Sequence, residues 1–372
     1  MLRLLLALIF TLALAACAAP QPELRASLDA VEVLGGGAGE GFARVLEPRP
    51  FVFPADHGPH PGYSIEWWYY TGNLDAGGRH FGFQLTFFRS ALAPELPQRP
   101  SAWGAANVYM AHLAVSDVAA GRFYAYERFS RDAAGLAGAT GEPFRVFLED
   151  WSAEGSGPEG MTMRLRAAEG EVALDLTLES AKPVVLQGDR GFSQKGPEPG
   201  NASYYYSLTR MEAAGELVVA GERHQVAGLA WMDHEWGSSF LSRDAAGWDW
   251  VSLQLDDGHD LMVAQIRGAE GVLRSFGALV APDGATTPLD PATIGLEPLD
   301  TWRSPRSGAV YPSGWRLTVP AAGVDLELRP YLQDQELPVT VLYWEGAVRA
   351  TGAIGGRAVG GDGYVELTGY GQ

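Results

Sequence analysis

Cysteine is almost absent: the 372-residue chain holds one, Cys17. With no second thiol there is no internal disulfide and no cysteine-based metal site. Basic residues are also scarce, 27 Lys and Arg against 45 Asp and Glu, giving a formal net charge of -18. Such a chain repels nucleic-acid phosphate and anionic lipid surfaces, which sets aside a nucleic-acid function. No amphipathic helical pattern longer than a few turns stands out, so helix is not the main building material. A Gly-x-Ser-x-Gly elbow is missing too, which argues against a serine hydrolase of the α/β kind.

What is present is turn and strand. Forty-seven glycines, 24 prolines and a high aromatic share accompany apolar residues that alternate with polar ones. In "FGFQLTFFR", Phe81, Phe83, Leu85 and Phe87 share a face, and "VALDLTLES" repeats the pattern with Val172, Leu174, Leu176 and Leu178. Period two between Gly, Pro, Asp or Asn punctuation reads as antiparallel strands joined by tight turns.

The first 17 residues, "MLRLLLALIFTLALAAC", have an early arginine, a short apolar run and small residues before the cysteine. This is the pattern of an export signal, and Leu14-Ala15-Ala16-Cys17 resembles the bacterial lipobox, after which Cys17 is lipidated. A plain secreted protein with an incidental cysteine is the alternative. Ala18 in place of Asp suits the outer membrane, so a periplasmic lipoprotein anchored there is expected. Residues 18–43, rich in Ala, Gly and Glu, read as a flexible tether.

The remainder repeats itself. "EWWYYTGNLDAGGRHFGFQLTFFR" aligns with "WDWVSLQLDDGHDLMVAQIR", and four further weak matches follow in the same order in both halves, ending with "VAGLAWMDHEWG" on "GDGYVELTGYGQ". Conserved order across two halves implies tandem units. The expectation is an all-β protein of two tandem antiparallel β-barrels, residues 44–243 and 244–372, each closed so that no sheet edge stays exposed. Two open sandwiches are the alternative.

Candidate chemistry concentrates in the first unit. On a strand, Glu66, Trp68 and Tyr70 share one face, as do His234 and Trp236, while Asp233 and Glu235 share the other. In an up-and-down barrel the first and last strands are neighbours, so Glu66 and His234 can meet. A buried carboxylate beside an imidazole suits acid–base catalysis. Equally, the two can satisfy each other and simply tie the closing strand. The aromatic run Trp67, Trp68, Tyr69 and Tyr70, with Trp248 and Trp250 at the start of the second unit, either lines a pocket for an apolar ligand or fills a core. "DHGPH" offers Asp56, His57 and His60 as zinc ligands, His112 or His234 adding another, or makes a turn whose side chains cap the backbone. No other cofactor is expected.

Several of these segments together resemble a known family. "FPADHGPHPGYSIEWWYYTGNL", "WMDHEWG", "GWDWVSLQLDDGHDLM", "YWEGAV" and "GYVELTGYG", spanning about residue 50 to the end, are similar to the AttH-like lipocalin-domain family. That family includes carotenoid 1,2-hydratases and envelope proteins labelled secreted hydrolases. The resemblance implies two lipocalin-like barrels, and an apolar lipid or isoprenoid-like ligand that is either hydrated or hydrolysed, or only carried, with a membrane transport system as a partner in the second case. The His-x-Trp pair of the hydratases is matched by His234 and Trp236; for their proton-donating aspartate the chain offers Asp249 and Asp256, without an accompanying tyrosine.

Overall fold

The structure is a computed structural model and describes residues 28–29, 41–94, 101, 103–239, 241–242 and 244–371. The export signal, Cys17 and the expected tether up to residue 40, apart from 28–29, lie outside the described residues. Regular structure among the described residues is strand, interrupted by four three-residue 3-10 turns. Among the described residues, no helix is long and apolar enough to cross a membrane.

Two large sheets account for nearly all of it. The first has 13 strands between Ile65 and Ser239, with Ile65–Asp75 paired on one side to His80–Ala91 and on the other to Glu222–Ser239. First and last long strands are therefore neighbours, in a register that sets Glu66 opposite Trp236 and Trp68 opposite His234. The second sheet has 11 strands, centred on Ala245–Leu255, Arg357–Thr368 and Val341–Ile354. Its pairs are antiparallel except for Leu28–Asp29, which runs parallel to Val341–Leu342.

The expectation of two closed barrels is not met. Only the second sheet is nearly closed. The first remains open, because its outer strands, Arg122–Arg131 and Ala137–Gly141, do not pair with each other. An antiparallel meander need not close to protect an edge. One edge strand is only five residues long, "AGATG", and short, glycine-bearing edges offer little ladder for another chain to extend.

Each sheet packs one face on its own apolar cluster. Trp68, Tyr70, Phe83, Leu85, Tyr206 and Trp236 belong to the first core, and Leu253, Leu317, Trp344 and Val365 to the second. The opposite, alternate residues of the same strands do not face water. Tyr69, Tyr205, Trp231, Trp250, Met262 and Tyr364 form a third apolar cluster where the sheets meet. Across this junction Tyr69 packs edge-on to Trp250 at 5.2 Å between ring centres, and Asn73 Nδ2 donates to Gly363 O at 3.0 Å. At the far end, buried Asp260 accepts from Lys182 Nζ, Arg210 Nη2 and Thr209 Oγ1 at 2.8, 2.8 and 2.9 Å.

Candidate functional site

Strand alternation sends the predicted site residues to two different places. On the core face of the first sheet, Glu66 Oε1 lies 2.7 Å from His60 Nδ1 and 2.9 Å from His234 Nε2. Its Oε2 accepts from Arg89 Nε at 2.9 Å and from the His60 backbone N–H at 3.0 Å. Asp56 accepts from Arg49 and from the Val52 N–H and faces His60 Nε2 at 3.1 Å, while the His60 ring stacks on Trp236 at 3.7 Å. Burial alone would raise the Glu66 pKa, but the hydrogen bonds from His234 and His60 and the Arg89 charge hold it well below the carboxylate range. Burial lowers the His234 pKa and brings His57 down to about 4. Two fixed donors hold Oε2, and two imidazole nitrogens converge on Oε1.

The predicted metal set is only partly assembled. Asp56 and His60 are together, but His57 turns away to the Tyr206 hydroxyl at 2.6 Å and Glu159 O at 2.9 Å. His112 sits at the sheet interface against Tyr343 OH, 2.6 Å away.

The other face of the same strands opens on a cavity of about 100 Å³ between the two sheets. Trp67, Tyr69, Asp233 and Glu235 line it from the first sheet, and Trp248 and Trp250 from the second. Trp68, Tyr70, Glu66, His234 and Trp236 face the first core instead. A contiguous "EWWYY" is thus two walls of two different spaces, as period two requires. Asp249 also misses the cavity; it is held by Arg267 Nε at 2.9 Å and Tyr370 OH at 3.0 Å.

Four carboxyls converge on this aromatic space. Asp233 accepts from Tyr205 OH, Ser207 Oγ and Trp231 Nε1 at 2.6, 2.5 and 2.8 Å, yet burial pushes its pKa up to about 7. Glu235 is paired with Lys195 Nζ at 2.7 Å. Glu345 and Glu366 were not expected. They are direct cross-strand partners, and Glu366 is also opposite Trp250. Burial is the main cause in both: it lifts Glu366 to about 8, with Asp233 and Glu235 adding to the rise, and lifts Glu345 well above the carboxylate range, with Glu366 adding. Glu366 is not sealed off, since its residue keeps partial exposure, while its Oε1 accepts from Trp248 Nε1. Glu345 Oε2 accepts from Tyr69 OH at 3.1 Å, and its Oε1 has no protein partner. A signal for these two was present: "YWEG" and "YVELTG" place each glutamate two residues from another aromatic or polar position on one face, but they count only when read across the strand pair.

Fold and cavity together define an all-β, two-sheet protein with an acid-lined apolar space between the sheets. The chain belongs to the AttH-like family, whose model matches residues 44–370. A crystal structure of an AttH protein from Nitrosomonas europaea is 36% identical, with a TM-score of 0.78, covering 88% of this chain and all of that one. Kievitone hydratase from Nectria haematococca shares the fold at 17% identity and a TM-score of 0.66, over 89% of this chain and 97% of its own. No curated protein matches the sequence.

Proposed function

We propose that the protein binds an apolar, unsaturated ligand of lipid or isoprenoid type between its sheets and adds water across one carbon–carbon double bond. The observation that carries this reading is that Asp233, Glu345 and Glu366 are held in or above the neutral range inside an aromatic cavity. Protonating an isolated alkene needs a carboxylic acid that keeps its proton at neutral pH, and Glu366 does so with one oxygen unengaged. The proton passes from Glu366 to one alkene carbon, leaving a carbocation on the other, which the faces of Trp67, Trp248 and Trp250 stabilise. Water attacks that carbon and yields its proton to Asp233, whose pKa of about 7 suits a base as well as an acid. Proton return from Asp233 to Glu366 through solvent closes the cycle. The kinship with a hydratase supports the reaction class. A space of about 100 Å³ admits a ring or a prenyl unit, so a longer ligand projects from the cavity.

Incubation with an acyclic carotenoid or a prenyl alcohol in ¹⁸O-labelled water tests this. The expected product carries one labelled hydroxyl, and Glu366→Gln lowers its formation by about 10²-fold or more, the usual share of general acid catalysis. Retention of unaltered ligand by both proteins, without label, is the outcome of a non-catalytic carrier.

We further propose that the chain is an envelope lipoprotein tethered through Cys17. In support, the first 17 residues have the export pattern ending in Leu14-Ala15-Ala16-Cys17. Loss of palmitate labelling in Cys17→Ser is the expected result.

A further inference from the structure

The core-face cluster, which the proposed reaction does not use, has one proton problem that a cation resolves. Glu159 O only accepts, so His57 Nε2, 2.9 Å away, carries a proton. Tyr206 has a single proton to give, and its contact with His57 Nδ1 at 2.6 Å is far shorter than that with His234 Nδ1 at 3.2 Å. With that proton committed to His57, the Tyr206 oxygen only accepts. His234 Nδ1 then faces two acceptors, Tyr206 and the Asp56 backbone carbonyl at 3.1 Å, and must itself be protonated. Its Nε2 faces a third acceptor, Glu66 Oε1. His60 Nε2 lies between Asp56 Oδ1 at 3.1 Å and Arg49 Nη2 at 3.4 Å, and its Nδ1 turns on the same Glu66 Oε1 at 2.7 Å. A neutral His234 ring with its proton on Nδ1 therefore turns a bare Nε2 on Glu66 Oε1, lone pair against lone pair at 2.9 Å, with the His60 ring 5.6 Å away.

We propose that His60 Nδ1, His234 Nε2 and Glu66 Oε1 bind a divalent transition-metal ion of the zinc class. These three atoms lie within 4.8 Å of one another. Two imidazoles and a carboxylate are a donor set for Zn²⁺, Co²⁺ or Ni²⁺ and not for Ca²⁺ or Mg²⁺. The far atom of each ligand already has an orienting partner: His60 Nε2–H points to Asp56, His234 Nδ1–H to the Asp56 carbonyl, and Glu66 Oε2 is held by Arg89. That outer ring is what fixes ligands around bound metals. Asp56 therefore supports the site from behind, and His57 belongs to Tyr206. The His60 side chain keeps 15% exposure, which gives an ion a way in. The ion pins the 49–60 segment onto the first sheet, on the opposite face from the cavity and independent of the hydration reading.

The test uses the purified protein, stripped with chelator and titrated with ZnCl₂ or CoCl₂ near neutral pH. Expected are about one equivalent bound and a higher melting temperature of the wild type. His234→Gln weakens binding by about 10²-fold, whereas His259→Gln, a histidine outside the cluster, binds as the wild type. A stripped wild type that takes up none of the three metals at micromolar concentration overturns the proposal. So does undiminished affinity in a folded His234→Gln, or binding lost in His259→Gln.

Discussion

At Glu366 and Glu345 two carboxyls stand directly across an antiparallel pair, an arrangement that is unfavourable if both are charged. Burial chiefly, with Glu366 acting on Glu345 and Asp233 and Glu235 on Glu366, raises both pKa values, and this has a thermodynamic signature. The folded-state pKa of Glu366, about 8, lies above the unfolded value. Between about pH 4.5 and 8 the folded chain holds a proton that the unfolded chain has lost, so stability falls as pH rises through that window. Glu66 and Asp56 work the other way: their pKa values are depressed, and the stability they supply is lost as pH falls through the acid range. Calorimetry across pH is expected to show Glu366→Gln melting higher than wild type at pH 8.5 and unchanged at pH 4.5. Parallel curves for the two proteins would contradict the assignment. Much of this site was legible residue by residue: Asp233, Glu235, Trp67, Tyr69, Trp248 and Trp250 were all singled out from sequence. Their division from Glu66, His234 and Trp236 required taking alternation at its word along "EWWYY" and "MDHEW". Glu345 and Glu366 required a cross-strand partner that a linear chain does not reveal.

Among elements, the Ile65–Asp75 strand matters most because both its faces are buried, one in each space. Such a strand needs small residues wherever a neighbour comes close. A Cβ on Gly82, in the next strand, would stand 2.6 Å from the Ala347 Cβ of the other sheet, and one on Gly72 would meet the Leu229 carbonyl at 2.7 Å. Gly82→Val is expected to lose about 1–3 kcal/mol in denaturant unfolding, the usual cost of overpacking, and to perturb the cavity by prying the sheets apart. Gly77→Ser, in the exposed turn where nothing lies within 4 Å, is expected to lose less, through its positive φ of 66° alone. The strands themselves were readable from period two, and the neighbouring of the first and last long strands followed from up-and-down order. Closure was not readable, because it depends on how the outermost strands end, and a five-residue "AGATG" edge carries almost no pattern.

For the molecule as a whole, the sheets are partners and not beads on a string. Tyr69 meets Trp250 across the interface, and these same residues correspond in the internal repeat, so the duplicated aromatic positions of the two halves now face each other. Asp260 is the polar counterpart, a second-sheet carboxylate neutralising Lys182 and Arg210 of the first. Asp260→Ala strands two cations at a buried junction and is expected to cost about 3–5 kcal/mol, measurable by urea unfolding. A cost below about 1 kcal/mol would mean that the junction is solvated.

The account stands on where the ligand sits. The most direct measurement is titration with all-trans-retinol, following the ligand's own fluorescence, in wild type, Ala264→Phe and His234→Gln. Ala264 lines the inter-sheet cavity, whereas His234 is buried on the opposite face. Filling the cavity with Phe is predicted to weaken retinol binding at least about tenfold, or 1.4 kcal/mol, with His234→Gln close to wild type. Binding that survives Ala264→Phe and disappears in a folded His234→Gln would place the ligand in the first core and contradict the account.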